Sequence, residues 1–228
     1  MQRGPHMSDT RLPKLSDCLV FFDFDNTITM SDVVDDIIAK FSINQEWVAL
    51  ENSWKRGEIG SRICLAKQFE SVRVTKSELV RYLSLVRIDL HFESFPAMLK
   101  REGIKPVILS DNFTFVIETI LHNNGIDGVK VYANELKFSG DRLIASFPYS
   151  DKNCGKCAHC KKKSLLGKNV RDNVIIYIGD GMSDVCPCRH ADIVFAKDDL
   201  LDYFRKDKRL CLAFNNIEDI KNYFRGLQ

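Results

Sequence analysis

Apolar residues recur along the chain in two patterns. Leu19-Val20-Phe21-Phe22 is an unbroken apolar run, the signature of a strand buried on both faces of a sheet. Pro106-Val107-Ile108-Leu109, Val174 to Ile178 and Ile193-Val194-Phe195 repeat it, and Lys130 to Ala133 predicts a shorter strand. Elsewhere the spacing is helical. Ser31-Asp32 offers an N-cap, and Val33, Val34, Ile37, Ile38 and Phe41 follow on one helix face. Trp47, Leu50 and Trp54, then Ile63 to Phe69 and Leu79 to Val86, keep the helical pattern to about Leu90, with no strand expected there. A helix around Ala97 to Glu102 stops at Gly103, and another covers Thr114 to His122. Lys137 to Phe147 predicts a small hairpin turning at Ser139-Gly140-Asp141.

Strands alternating with helices argue for an α/β fold, a Rossmann-like doubly wound parallel sheet. The expected organisation is a core of residues 8–30 and 92–228, interrupted by an all-helical cap over 31–91. Residues 1–7, ending at Met7, read as an expression-tag remnant.

Composition narrows the function classes. A chain of 228 residues, 45% hydrophobic and 28% charged, is ordinary for a soluble globular protein. Its apolar runs are strand-sized, far short of the ~20 residues that span a bilayer. A net charge of +2 gives no reason to expect nucleic acid or membrane partners. Eight unevenly spread cysteines without a secretion signal point to reduced thiols in the cytoplasm.

In a doubly wound sheet, ligands bind beyond the carboxyl ends of the strands. After the first buried run come Asp23 and Asp25, after the second Ser110 and Asn112, and after the third Gly179-Asp180-Gly181 with Ser183 and Asp184. Asp23 and Asp25, one residue apart on leaving a strand, project to the same side and repel unless a cation or a proton intervenes. A hard divalent ion such as Mg²⁺ relieves that repulsion, with Asp180 completing the set. An Asp-x-Asp alone is an exposed turn, and a Ser after a strand alone is a helix cap. Here three strands deliver oxygen-bearing side chains to one rim.

Asp23-Phe24-Asp25-Asn26-Thr27 resembles the first motif of the haloacid dehalogenase superfamily, Ser110 the second, and Gly179-Asp180-Gly181-Met182-Ser183-Asp184 the fourth. The helical insertion is similar to the cap of the phosphoserine-phosphatase-like branch. Thr27 to Asp32, the cysteine-containing segment and Phe195-Ala196-Lys197-Asp198 come closest to the methionine-salvage phosphatases. The resemblance implies a Mg²⁺-dependent phosphatase acting on a small phosphorylated metabolite. Asp23 would be the nucleophile that becomes an aspartyl-phosphate, and Asp25 the general acid and base. The metal would be held by Asp23, the Asp25 carbonyl and Asp180. Ser110 and Asn112 would bind phosphate, Asp184 would support the site, and Asp32 would face the substrate or simply cap its helix. The motif lysine is Lys161 or Lys162, with Lys163 a solvated helix residue.

Cys154-x-x-Cys157-x-x-Cys160 has the spacing of a zinc site, and His159, Cys186 or Cys188 offers a fourth ligand. The competing expectation is a set of reduced thiols around a loop. Arg56, Arg62 and Lys67 in the cap are read first as a solvated face and second as contacts to another anionic group. Alternatives of other kinds are a phosphotransferase or mutase on the same fold, and a zinc-bearing nucleic-acid module built on Cys154 to Lys163.

Overall fold

The structure, a computed structural model, describes residues 15–167 and 173–226; residues 1–7, for which a tag remnant is expected, lie outside them. Seven strands form one sheet in the order β4 (Arg142–Ser146), β3 (Lys130–Ser139), β2 (Val107–Phe113), β1 (Cys18–Phe22), β5 (Val174–Gly179), β6 (Ile193–Ala196) and β7 (Leu212–Ala213). Every pairing is parallel except β3 with β4. From β1 the chain moves outward through β2 to β4, then returns to β5 on the other side of β1 and continues to β7. The order therefore reverses at the β1–β5 pair, the position where such sheets bind ligands.

The doubly apolar runs are explained by the two faces of the sheet. Val20, Phe22, Ile176 and Ile178 enter one core, whereas Phe21, Leu109, Ile175 and Tyr177 enter the other. Phe22 meets Phe92 and Phe95 edge-on at ring separations of 5.6 and 5.7 Å.

Between β1 and β2 lie α1 (Val33–Phe41), α2 (Glu46–Lys55), α3 (Ser61–Glu70) and α4 (Lys76–Leu83). The Asp32 carboxylate accepts the Asp35 N–H and caps α1. Thr75 and Glu78 form a reciprocal capping box on α4. Buried residues of this insertion, Val33, Ile37, Phe69 and Leu79 among them, share one apolar core with Phe22 and Phe113, and the Phe69 and Phe113 rings are 4.6 Å apart. The chain enters and leaves the insertion through a narrow neck: Met30 N–H donates to Arg87 O and Asp89 N–H to Ile28 O, at 3.1 and 2.8 Å.

Two readings need correction. Lys130–Ala133 and the first arm of the hairpin are one strand, Lys130–Ser139, because its ladder with β2 gives way without a break to its ladder with β4. The tip of the hairpin also meets the insertion, where Val74 N–H donates to Asp141 O, 2.8 Å away. The pattern missed α9 (Asp198–Lys206), β7 and α10 (Ile217–Arg225), although Ile217, Ile220 and Phe224 bury one stripe of α10 in the core. Gly103, at φ +78°, ends α5 (Phe95–Arg101) as expected.

Candidate active site

A cleft partly open to solvent lies at the carboxyl ends of β1, β2 and β5. Asp23, Asp25, Ser110, Asn112, Lys161 and Asp180 line its floor, and residues of α1, α2 and α3 form its roof.

Asp23 follows β1 directly, and its N–H donates to Ile178 O of β5 at 2.9 Å, so it is fixed at the switch point. Asn26 then adopts φ +51°, a left-handed conformation that Asn tolerates better than most residues. The resulting turn folds Ile28 and Thr29 N–H back onto Phe24 O and brings the Thr27 hydroxyl to Asp180, donating to its Oδ1 at 2.9 Å.

Of the two candidate lysines, Lys161 lines the cleft. Lys161, at the start of α7 (Lys161–Leu166), is buried with its Nζ 2.7 Å from Asp23 Oδ2 and 2.8 Å from Asp184 Oδ1. It also donates to Ser183 Oγ at 3.0 Å. Lys162 lies half-buried, outside the cleft lining. Burial alone disfavours a charged ammonium, but Asp184, Asp23 and Asp111 outweigh it and hold the Lys161 pKa above its ordinary value.

Asp184 is fully buried and spends its carboxylate on donors. Oδ1 accepts from Lys161 and the Tyr177 hydroxyl, while Oδ2 accepts from the N–H groups of Asp180 and Gly181. Gly179 makes room for it: a Cβ there would stand 2.4 Å from Asp184 Oδ2.

Asp23, Asp180 and Asp184 bring carboxylate oxygens within 4.8 Å of one another. Three buried carboxylates face one ammonium. Burial first, then the charge of Asp184, pushes Asp23 well above the usual carboxylate range and Asp180 up to about 7. A close all-oxygen donor set short of positive charge suits a hard divalent cation.

Asn112 lines the cleft with its side chain engaged by the protein. Its amide nitrogen lies 3.0 Å from each Asp25 oxygen and its carbonyl accepts Phe113 N–H, so both ends serve the protein. Asp25 also accepts Val33 N–H at 2.9 Å. Burial and the nearby Asp32 raise its pKa well above the ordinary value. Ser110 Oγ accepts Asn112 N–H, which leaves its hydroxyl hydrogen to donate elsewhere.

The zinc expectation fails. Among the described residues, the only group of three metal-binding side chains close enough to share an ion is the aspartate set. Cys154 and Cys157 pair at 3.7 Å, but Cys160 is buried at the start of α7. His159 has both ring nitrogens occupied, Nδ1 by Ser110 O and Nε2 by Ser164 Oγ, at 3.0 and 2.7 Å.

In the roof, Asp32 both caps α1 and lines the cleft. Beside it are Asp35, Glu51 and Gln68, which sequence reading did not select. Burial, then Asp32 and Glu51, raises Asp35 to about 7. Gln68 Oε1 is buried with no hydrogen-bond donor among the described residues. Arg56 pairs with Glu58 at 2.6 Å, Lys67 is exposed, and neither they nor Arg62 line the cleft.

Comparison with known proteins agrees with this arrangement. The family model described as "Putative Phosphatase" matches residues 18–206. The chain belongs to this family. It is 32% identical over 214 residues to a 2-hydroxy-3-keto-5-methylthiopentenyl-1-phosphate phosphatase of Geobacillus thermodenitrificans, covering 92% of this chain and 96% of the relative. A namesake from Geobacillus kaustophilus is 31% identical over 187 residues, covering 80% and 84%. A substrate-bound phosphoserine phosphatase aligns with TM-score 0.65 at 18% identity, over 90% of this chain and 97% of that one. The phosphoserine phosphatase of T. onnurineus gives 0.68 at 18%, over 96% and 100%. The protein is a phosphatase of the haloacid dehalogenase type, in the phosphoserine-phosphatase-like branch, and its reaction class is phosphoric monoester hydrolysis. No helix among the described residues is long and apolar enough to cross a membrane.

Proposed function

We propose that the protein hydrolyses a small phosphorylated metabolite in two steps through Asp23. The observation that carries this reading is the buried contact of Asp23 with Lys161, 2.7 Å, in a cleft shared with Asp25 and Ser110. The Asp23 carboxylate attacks phosphorus, an aspartyl-phosphate forms and the bond to the leaving oxygen breaks. Asp25, whose raised pKa favours the protonated state, gives that oxygen its proton. In the second step Asp25 takes a proton from water, which attacks phosphorus and frees Asp23. Asn112 aims Asp25, Ser110 donates to a phosphate oxygen, and Lys161 offsets the charge gathered around Asp23. Asp23, Asp180 and the Asp25 carbonyl would hold Mg²⁺, with Asp184 behind them. When bound, the ion neutralises charge on the transferring phosphoryl group. The protein would work in the cytoplasm.

The roof bears on the substrate. Asp32, Asp35, Glu51 and the undonated Gln68 Oε1 present acceptors and negative charge to the cleft. A phosphomonoester with a compact ammonium or other donor-rich end satisfies them; a second anionic group does not. The Geobacillus relatives are named for a hydroxy-keto phosphomonoester, which carries no cation.

The test is phosphate release from a panel containing 2-hydroxy-3-keto-5-methylthiopentenyl-1-phosphate, ammonium-bearing alkyl phosphates and a generic aryl phosphate. It is run with Mg²⁺ or EDTA, for wild type and Asp23→Asn. Activity that needs Mg²⁺ and disappears in the folded variant is expected, with radiolabelled phosphate trapped on the Asp23 peptide after acid quench. Undiminished turnover by folded Asp23→Asn overturns the covalent step. Equal preference for the ammonium-bearing phosphates and for those without a cation overturns the reading of the roof.

A further inference from the structure

The Cys154-Gly155-Lys156-Cys157 turn has no part in the hydrolytic site, yet it is built as a reactive dithiol on the seam between α3 and the core. Asp151 O accepts the N–H groups of Cys154 and Gly155, and Gly155, at φ +69°, turns the chain so that both thiols face each other at 3.7 Å. Cys154 is exposed and Cys157 partly so. The pair is asymmetric: backbone N–H groups of Lys156 and Cys157 lower the Cys154 pKa, while burial raises Cys157 to about 12. Cys154 is therefore the attacking thiol, and Cys157 the one held in reserve.

What lies between the two cysteines touches the roof of the cleft. Lys156 O accepts Arg62 N–H at 3.2 Å, and Ala158 N–H donates to Ser61 Oγ at 2.9 Å. Gly60 is pressed against the same turn, where a Cβ would stand 2.3 Å from Lys156 O. The helix that begins there carries Cys64, Leu65 and Gln68 into the cleft. Two residues beyond Cys157, His159 N–H donates to Asp111 Oδ1, and Lys161 follows in the site itself.

We propose that Cys154 and Cys157 form a reversible disulfide that resets the seating of α3 over the cleft. The oxidant is a low-molecular-weight disulfide. The Cys154 thiolate attacks one of its sulfurs, releasing one small thiol and leaving a mixed disulfide on Cys154. Cys157 then loses its proton and attacks the Cys154 sulfur, releasing the second small thiol. The protein loses two electrons and two protons, and the small disulfide gains them. Closing the pair from 3.7 Å to the ~2.05 Å of a disulfide draws in the turn that holds Arg62 and Ser61. A rigid core does not follow such a shift, so the contact with Gly60 must move.

The test treats the full chain with oxidised glutathione, then reads peptide maps and phosphatase kinetics. The expected map shows a Cys154–Cys157 link, a mass two hydrogens lower, and reversal by dithiothreitol. Cys154→Ser and Cys157→Ser should each prevent the link and keep the untreated activity. In untreated protein, limiting iodoacetamide should label Cys154 before Cys157. The linked wild type should show a several-fold change in KM that dithiothreitol reverses and that both variants lack. A dithiol that persists in saturating oxidised glutathione, or a link from Cys154 to Cys186 instead, overturns the site. A fully linked protein with unchanged KM overturns the coupling to α3. The mass readout needs no activity, so its failure is separate from any failure of the hydrolytic reading.

Discussion

Lys161 reaches Asp23 from a different segment of the chain, at 2.7 Å and in near-complete burial, while its neighbour Lys162 points away from the cleft. Lys161→Met should therefore cut kcat/KM on the order of 10²-fold or more, the scale of losing one preorganised charge partner in a buried site. Lys162→Met should leave it within about twofold. The same Lys161→Met change strands Asp23 and Asp184 without their cation, at a cost of about 3–5 kcal/mol in urea unfolding. Equal kinetic losses in both variants would show that α7 as a whole, rather than one ammonium, is what the site needs.

Asp25→Asn tests the acid. The substitution keeps shape and removes the proton donor, so the loss should depend on the leaving group. The rate of aspartyl-phosphate formation in a single turnover should fall about 10²–10⁴-fold for an alkyl phosphate and much less for an aryl phosphate, whose leaving oxygen needs little protonation. A uniform loss across leaving groups would contradict the assignment.

Metal binding should carry the signature of the crowded aspartates. Asp180 is raised to about 7, and Asp23 is raised as well. A carboxyl whose folded pKa exceeds its unfolded one binds more protons in the native state, so stability of the metal-free protein falls as pH climbs from about 4 to 7. Protons and cation compete for the same oxygens. The rise in Tm on adding Mg²⁺ should thus be small at pH 5 and grow through pH 7; an equal rise at both would mean the ion binds elsewhere.

Asp35→Asn addresses the roof. Asp35 lies outside the Asp23 cluster, so the variant should keep its kcat on an aryl phosphate. It should raise KM for an ammonium-bearing phosphomonoester by roughly tenfold, about 1.4 kcal/mol of lost charge attraction. Unchanged KM for the cationic substrate would remove Asp35 from the binding site.

Gly179→Ala probes the support beneath the site. The added Cβ would lie 2.4 Å from Asp184 Oδ2, and that oxygen is tied to two backbone N–H groups and cannot retreat freely. A loss of about 1–3 kcal/mol in stability is expected from such overpacking, read by urea denaturation. Gly181→Ala, where a Cβ meets nothing within 4 Å, is the control.

The parts of this fold legible in the sequence were those that repeat a period. β1 and β5 announce themselves because both of their faces are buried, and α1 because its apolar stripe follows a capping Asp32. Asp23, Asp25, Ser110 and Asp180 were legible because each follows such a strand. The rest depends on contacts between distant segments. Nothing in Lys161-Lys162-Lys163 tells which amine turns inward; that is set by the burial of Leu165 beside Lys161 on α7. Nothing local shows that the Asn112 amide reaches Asp25, 87 positions away. Asp35, Glu51 and Gln68 sit on three helices and share no motif. The cysteine spacing suggested a metal because sequence cannot show that His159 is already held by Ser110 and Ser164.

The neck through which the insertion leaves and rejoins the core, where residues 28–30 run beside 87–89, separates two inheritances. Asp23, Asp25, Ser110, Lys161 and Asp180 all lie outside the loop it closes, and Asp32, Asp35, Glu51 and Gln68 all lie within it. Because the two ends of that loop are hydrogen-bonded neighbours, its length and sequence can change without stretching the sheet. Substrate preference in such a molecule can drift across generations as a replaceable cassette while the reacting aspartates stay where they are. The contacts of Gly60 with Lys156, of Val74 with Asp141 and of Phe69 with Phe113 are the points at which a foreign cassette would have to be fitted by hand.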